Sequence, residues 1–263
     1  MIQQAFKGFY EILKNPWILN RILDDNSVWE NYISKKHPSF KKGLPVVEIT
    51  DLIPGFKETL DTVTYLGGGS TVPDLCMIKA LCKTFQNCTY FELGTWMGES
   101  VANASEVCSE CTTFNIDPNT YVNGKYKDIM GFFSKNLKNV KQLYGNSRTF
   151  DFAGLNKKFD VVFIDADHHH AFIKSDTENI FKHLIHDNSI IIWHDYGNSP
   201  SVPRFETLAA ILEGIPSTLH NNLYHVSNTL SAIYTKRRLS VRELNSMAIP
   251  SKKFRVSIES LPV

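Results

Sequence analysis

The chain has 263 residues, 43% of them hydrophobic, and its 28 basic and 27 acidic residues give a formal net charge of +1. A chain of this length can bury a full core, and its near-neutral balance gives no general attraction to nucleic acid or anionic lipid. We therefore expect the partner to be a small molecule and expect no membrane partner, and the charge balance argues against nucleic acid. Five irregularly spaced cysteines favour reduced thiols in a cytoplasmic protein.

Cys108 and Cys111 form a CxxC pair. A zinc site also needs a second pair or histidines at matching spacing, so two partly buried thiols are the preferred interpretation.

The N-terminal part predicts a helical and loop cap over residues 1–71. Apolar residues recur at helical spacing up to about residue 36, including Ile22 and Leu23, and Pro16 divides the helix into two pieces. Glycines and prolines over 37–73 indicate loops with at most short strands. Lys7, Glu11 and Lys14 interrupt the first apolar segment, so we predict neither a signal peptide nor a membrane span.

Residues 72–235 alternate strand and helix patterns and predict the core domain. Helices are expected at about 73–85, 100–108 and 205–213, with a crossover helix between the last two parallel strands. Strands are expected at 89–93, 112–116, 140–144, 159–164 and 189–193. The last two are nearly continuous apolar runs, typical of parallel strands covered on both faces. Segments 223–226 and 230–234 predict an antiparallel hairpin at the sheet edge, after a loop at 196–204.

Residues 236–263 form a basic C-terminal extension. Such a cluster can bind phosphates or nucleic acid, but a solvated surface is preferred because no recognition motif accompanies the charge.

The most informative segment is ELGTWMGES, residues 92–100, where a strand ends in Glu92 and turns through Gly94 and Gly98 into a helix. Ligands of open α/β sheets bind at the carboxyl ends of the strands. Gly94 would let a ligand approach the backbone, and a helix beginning near Ser100 would present free N–H groups to a carboxylate. The glycines do not follow the GxGxxG pattern of a nicotinamide or flavin site. Asp117, 25 residues after Glu92, suits ribose hydroxyls.

Four motifs in order, ELGTWMGES, NIDP, FDVVFIDADH and IIIWHDY, resemble those of class I S-adenosylmethionine-dependent methyltransferases. The pattern is most similar to small-molecule O-methyltransferases of the catechol and caffeoyl-coenzyme A type and to a related bacterial group. The resemblance implies a doubly wound, Rossmann-like, seven-stranded and mostly parallel sheet.

The resemblance also implies the cofactor site. Glu92, Gly94 and Thr95 would contact the methionine end of S-adenosylmethionine, Ser100 its carboxylate and Asp117 its ribose. Asn146 and Ser147 would hold the adenine edge, and Asp165 would lie beside the cofactor.

Asp165 and Asp195 end neighbouring predicted strands, so their carboxylates are expected to converge. Two anions that close must share a cation or a proton. A divalent cation such as Mg²⁺ is one candidate, although Tyr196 stands where metal-dependent relatives carry an asparagine ligand. His168 is a candidate general base and His194 a second, whereas His169 and His170 are assigned to the surface.

We therefore predict O-methylation of a small-molecule hydroxyl by in-line transfer, with His168 or a metal at Asp165 and Asp195 assisting deprotonation. The alternatives are an N-methyltransferase, a non-catalytic S-adenosylmethionine-binding protein and a nicotinamide-dependent oxidoreductase. The acceptor, and whether copies associate as a homo-oligomer, stay open.

Overall fold

The computed structural model describes residues 2–19, 25–119, 124–245 and 249–262. The main helices are α1 Ile2–Lys14, α2 Asn26–Lys36, α3 Ile49–Leu52, α4 Val72–Cys82, α5 Glu99–Ser105, α6 His170–His183 and α7 Phe205–Gly214. The strands are β1 Val46–Val47, β2 Thr89–Leu93, β3 Glu110–Asn115, β4 Val140–Tyr144, β5 Phe159–Ile164, β6 Ile185–Trp193, β7 Gly197–Ser199, β8 Val202–Pro203, β9 Leu223–Val226, β10 Ala232–Tyr234 and β11 Val241–Arg242.

The main sheet has the order β11-β1-β9-β10-β6-β5-β2-β3-β4. Strands β4, β3, β2, β5 and β6 pair in parallel, and β10 runs antiparallel to both β6 and β9. The predicted seven-stranded, mostly parallel α/β sheet with its antiparallel hairpin is confirmed as strands β9 to β4 of this order, and β11 and β1 are added at one edge. The order reverses around β2, which marks the switch point where ligands of such sheets bind.

The hairpin is expected at the edge of the sheet, but two further strands lie outside it. Val46–Val47 pairs in parallel with β9, and the tail residues Val241–Arg242 pair with Val46–Val47. The loop at 196–204 also differs from expectation, since Gly197–Ser199 and Val202–Pro203 form a small antiparallel pair of their own. Strands of two or three residues carry no periodic pattern that a sequence could reveal.

Alternate side chains of the central strands enter two separate cores, one on each face of the sheet. Phe91, Val162 and Ile191 pack beneath α6 and α7. Their chain neighbours Tyr90, Val161 and Ile190 pack beneath α4 and α5. Because strand side chains alternate between faces, both faces need apolar residues, which explains the continuous apolar runs.

The N-terminal helix breaks near Pro16, as predicted, while Ile22 and Leu23 lie outside the described residues. The α2 helix is fixed to the core, because Ile33 is fully buried and the Asn26 side chain accepts a hydrogen bond from the Phe205 N–H at 2.8 Å. Four large apolar side chains of α1 are exposed, those of Phe6, Phe9, Tyr10 and Leu13, with Phe6 exposed by 73%. Within the described parts of the chain, no helix combines the length and apolarity needed to cross a bilayer.

Candidate active site

The turn between β2 and α5 begins at Gly94, which has φ of 100° and donates its N–H to the Phe114 carbonyl at 2.9 Å. A Cβ atom at this position would lie 1.9 Å from the Asp165 carbonyl oxygen. The group that approaches Gly94 most closely is therefore the backbone at the end of β5, where a ligand had been expected. Glycine is required because the turn after β2 and the end of β5 touch directly.

Glu92 is fully buried under this turn and forms a hydrogen-bond network with neighbouring side chains. The Tyr90 hydroxyl donates to it at 2.8 Å, the Thr113 hydroxyl donates at 3.1 Å, and Ser100 adds a further side-chain hydrogen bond. Thr95 lies 2.6 Å from the Thr113 hydroxyl and joins the same network.

Burial raises the pKa of Glu92 to about 8, despite the opposing hydrogen bonds from Ser100, Tyr90 and Thr113. The buried side chain is therefore neutral at pH 7 in this state, and a cationic group brought against it would favour ionisation.

The remaining predicted cofactor residues lie at the ends of the next two strands. Asn115 of β3 pairs with Tyr144 of β4, so Asp117 and Asn146 both follow their strand ends by two residues. Asp117 is half-buried and accepts hydrogen bonds from Asn119, 2.8 Å from the backbone nitrogen and 3.0 Å from Nδ2. Asn146 is exposed, and Ser147 hydrogen-bonds to the buried Asp176.

Asp165 and Asp195 converge as predicted, because Ile164 of β5 pairs with Trp193 of β6. His194 lies between the two carboxylates, with Nδ1 3.2 Å from Asp165 and 3.4 Å from Asp195. Burial disfavours a charge on His194, but the negative charge of Asp165 and hydrogen bonds to both aspartates outweigh it and raise its pKa well above the usual value. A protonated imidazole is thus one cation that the two carboxylates can share.

His168 forms the second imidazole–carboxylate pair, with Nδ1 3.0 Å from Asp195 Oδ2. The hydrogen bond to Asp195 raises the pKa of His168, against the opposing effect of burial. Asp195 is shared by two histidines, and their hydrogen bonds and charges hold its pKa well below the usual range although burial opposes this.

The His168 side chain is half exposed and opens onto a cavity of about 560 Å³. The cavity is lined by Asp25, Asn26, His168, His169, Asn198, Arg204 and Glu206. His168 is therefore the one member of the two pairs that borders this space. His169, which also lines the cavity, pairs with Asp167 at 2.7 Å, and His170 stacks on Trp29 with ring centroids 5.0 Å apart.

Residues 91–196 match the family model described as a methyltransferase domain. This segment is similar to a methyltransferase domain. The predicted resemblance to class I methyltransferases is thereby confirmed for the part of the chain that carries the motifs. No curated protein matches the sequence.

Solved methyltransferase structures resemble the chain over about two thirds of its length. A putative caffeoyl-CoA O-methyltransferase from Staphylococcus aureus is 18% identical, with 63% of this chain and 84% of that chain covered and a TM-score of 0.45. A methyltransferase from Podospora anserina with bound SAH is 15% identical, with 65% of this chain and 81% of that chain covered and a TM-score of 0.47. An O-methyltransferase of tomaymycin synthesis from Streptomyces achromogenes, in complex with SAM, is 13% identical, covering 64% and 81%, with a TM-score of 0.45.

Three side chains at the ends of β5 and β6 could hold a divalent ion. Asp165, His194 and Asp195 each offer one ligand atom, and these atoms lie within 4.8 Å of one another. Two carboxylates and an imidazole suit a borderline transition metal better than Mg²⁺, which prefers oxygen ligands. Tyr196, in place of the expected asparagine, is fully buried and its hydroxyl accepts the Leu44 N–H at 2.8 Å, so it turns away from this group.

The structure adds residues that sequence reasoning missed. Asp74 is fully buried and lies 3.9 Å from His194 Nε2, while its carboxylate accepts the Ser231 hydroxyl at 2.5 Å. Thr71 and Asp74 have the spacing of a helix-capping pair, so the sequence signal of Asp74 is that of a helix start. Ser70, 3.4 Å from Asp165, lies in a Gly-rich loop and carries no sequence signal at all.

Proposed function

We propose that the chain is an S-adenosylmethionine-dependent methyltransferase that methylates a hydroxyl group of a small molecule, with His168 as general base. The observation that carries the proposal is the His168–Asp195 pair. His168 of this pair borders the cavity at the carboxyl edge of the sheet, in the segment that matches a methyltransferase domain. A neutral imidazole oriented by a carboxylate is the usual arrangement for removing a proton near pH 7.

The residues around the switch point fit S-adenosylmethionine. Glu92 is a buried acid that a cationic amino group would complement, and Asp117 is an accessible acid at the end of the next strand, where ribose hydroxyls would donate to it. Gly94, Thr95 and Ser100 would form the turn around the methionine end, and Asn146 and Ser147 the adenine edge. When bound, the cofactor supplies an electrophilic methyl group on its sulfonium.

His168 would act through its Nε2 atom, because its Nδ1 faces Asp195. The Nδ1–H donates to Asp195, so the lone pair of Nε2 is available for the acceptor hydroxyl. The hydroxyl proton would pass to Nε2, and the acceptor oxygen would then be free to take the methyl group that the bound cofactor supplies. His168 then releases its proton to solvent. Alignment of oxygen, methyl and sulfur supplies much of the rate.

A divalent ion on Asp165, His194 and Asp195 would supply a second means of acidifying the hydroxyl. The His168 route is preferred because His194 already offers both aspartates a hydrogen-bonded cation.

The polar lining of the cavity supports a hydrophilic acceptor. Asp25, Asn26, Asn198 and Glu206 contribute oxygen or amide groups, and Arg204 contributes a guanidinium. Polar groups that converge on a pocket fix the orientation of a ligand with matching hydroxyls or charges. We therefore place polar, hydroxylated acceptors ahead of flat apolar phenols.

Two linked measurements test the proposal. Calorimetry with S-adenosylmethionine is expected to give binding that is strongly weakened in Asp117→Ala. Transfer of a labelled methyl group to a panel of hydroxyl and amine acceptors is then expected to yield O-methylated product with the wild type and far less with His168→Gln, which should still bind cofactor. Binding without transfer to any acceptor would favour a non-catalytic protein, and transfer only to amines would favour an N-methyltransferase.

A further inference from the structure

Four of the five cysteines gather at one place, on the opposite edge of the sheet from the catalytic cleft. Cys82 ends α4, Cys88 precedes β2, Cys108 follows α5 and Cys111 lies at the start of β3. The first strand residues follow these turns, so the cluster lies at the amino ends of β2 and β3. The proposed chemistry uses the carboxyl ends and leaves these thiols without a role.

The sulfur atoms are close enough to share one ligand. Those of Cys82, Cys88 and Cys108 lie within 4.8 Å of one another. Cys111 is fully buried and belongs to the same core cluster as these three cysteines. All four cysteines are free thiols, and none has a side chain that is more than 8% exposed.

We propose that Cys82, Cys88, Cys108 and Cys111 bind a structural zinc ion. Tetrahedral zinc with four thiolates has Zn–S bonds of about 2.3 Å, which puts its sulfurs about 3.8 Å apart. The three mutually close sulfurs therefore need shifts of less than about 1 Å to reach this geometry. Cys82 and Cys88 are separated by five residues and do not form a zinc motif in the sequence, but the fold brings their sulfurs close to that of Cys108 in the CxxC pair.

Binding converts the four thiols to thiolates and releases four protons, while the oxidation states of zinc and sulfur stay unchanged. The site would connect the turn before β2 to the turn before β3. Each of these turns joins a helix of the same face to a central strand, so the ion would hold α4 and α5 in place behind the sheet. Its role would be structural because all ligand positions are filled by protein.

The site can be tested on the purified, reduced full chain by metal analysis. We expect about one zinc ion per chain in the wild type and less than about 0.1 in Cys108→Ala. Cys76→Ala is the matched control, because Cys76 lies on α4, is only half-buried and does not belong to the cluster. It should keep its zinc.

Because Asp165, His194 and Asp195 are a second candidate group, the ligands must be identified directly. Cobalt substitution is expected to give the intense thiolate-to-metal charge-transfer absorption in the wild type and in Asp165→Asn. If Cys108→Ala does not fold, titration of the wild type with a mercurial reagent replaces it and should release the zinc in step with cysteine modification. A wild type that takes up neither zinc nor cobalt when reduced would overturn the proposal, as would a disulfide within the cluster.

Discussion

Replacing Glu92 by glutamine is expected to stabilise the protein at alkaline pH while weakening cofactor binding. The folded-state pKa of Glu92 is raised from 4.5 to about 8 by burial. A shift of that size corresponds to about 5 kcal/mol at about 1.4 kcal/mol per pKa unit, an order-of-magnitude figure for a fully buried group. Below pH 4.5 Glu92 is protonated in both the folded and the unfolded chain, so its burial costs no stability. As pH rises towards 8 the unfolded chain ionises more readily, so stability falls.

The glutamine variant lacks this loss, since an amide is never ionised and can hydrogen-bond with the same hydroxyls of Tyr90 and Thr113. Its advantage over the wild type should grow from pH 4.5 to 8 and reach roughly 10 °C in melting temperature, from about 2 °C per kcal/mol for a chain of this size. Denaturation scans at pH 5 and 8.5 measure the difference, with the exposed Glu259→Gln as a control for charge. Parallel curves for wild type and E92Q would refute the assigned burial effect.

Three further outcomes are expected. Because Asp195 raises the pKa of His168, its basic form appears as pH rises through a value above 6.5, so kcat should increase with pH there. In Asp195→Asn this inflection of the pH profile should move to lower pH, and an unchanged profile would contradict the pairing of His168 with Asp195. His168→Gln should lose about 10²-fold or more in kcat. Asp117→Ala removes charged hydrogen-bond acceptors worth about 1.5–3 kcal/mol, so the Kd for S-adenosylmethionine should rise about 10- to 100-fold by calorimetry, with full retention of affinity as the refuting result. Gly94→Ala should unfold at markedly lower urea concentration than Gly55→Ala, since both glycines have positive φ but only the first would press a Cβ against backbone; equal midpoints would disprove the close contact.

The central sheet could be predicted because its strands are covered on both faces. The apolar runs around Val162 and Ile191 have no other stable location than between two helical layers. The meeting of Asp165 and Asp195 followed from the same pattern, since residues that end adjacent parallel strands share one edge.

The parts that escaped prediction depend on contacts between distant segments. Glu92 is buried by Thr113 of the neighbouring strand and by the turn above it, and neither contact can be recognised from the sequence around Glu92. Asp74 resembles a helix-start residue until the loop at Leu230 and Ser231 is folded against it. His194 looks like any histidine after a strand, and only the register of β5 against β6 brings Asp165 to it.

The two short strands from outside residues 72–235 have a practical consequence. Val46–Val47 covers the outer side of β9, and Val241–Arg242 in turn covers Val46–Val47. A fragment cut to the predicted catalytic boundaries would keep every candidate cofactor residue but leave backbone N–H and C=O groups of β9 unpaired along its outer side. Exposed edges of that kind recruit other strands, so such a fragment is expected to aggregate, and expression trials should retain both flanking segments.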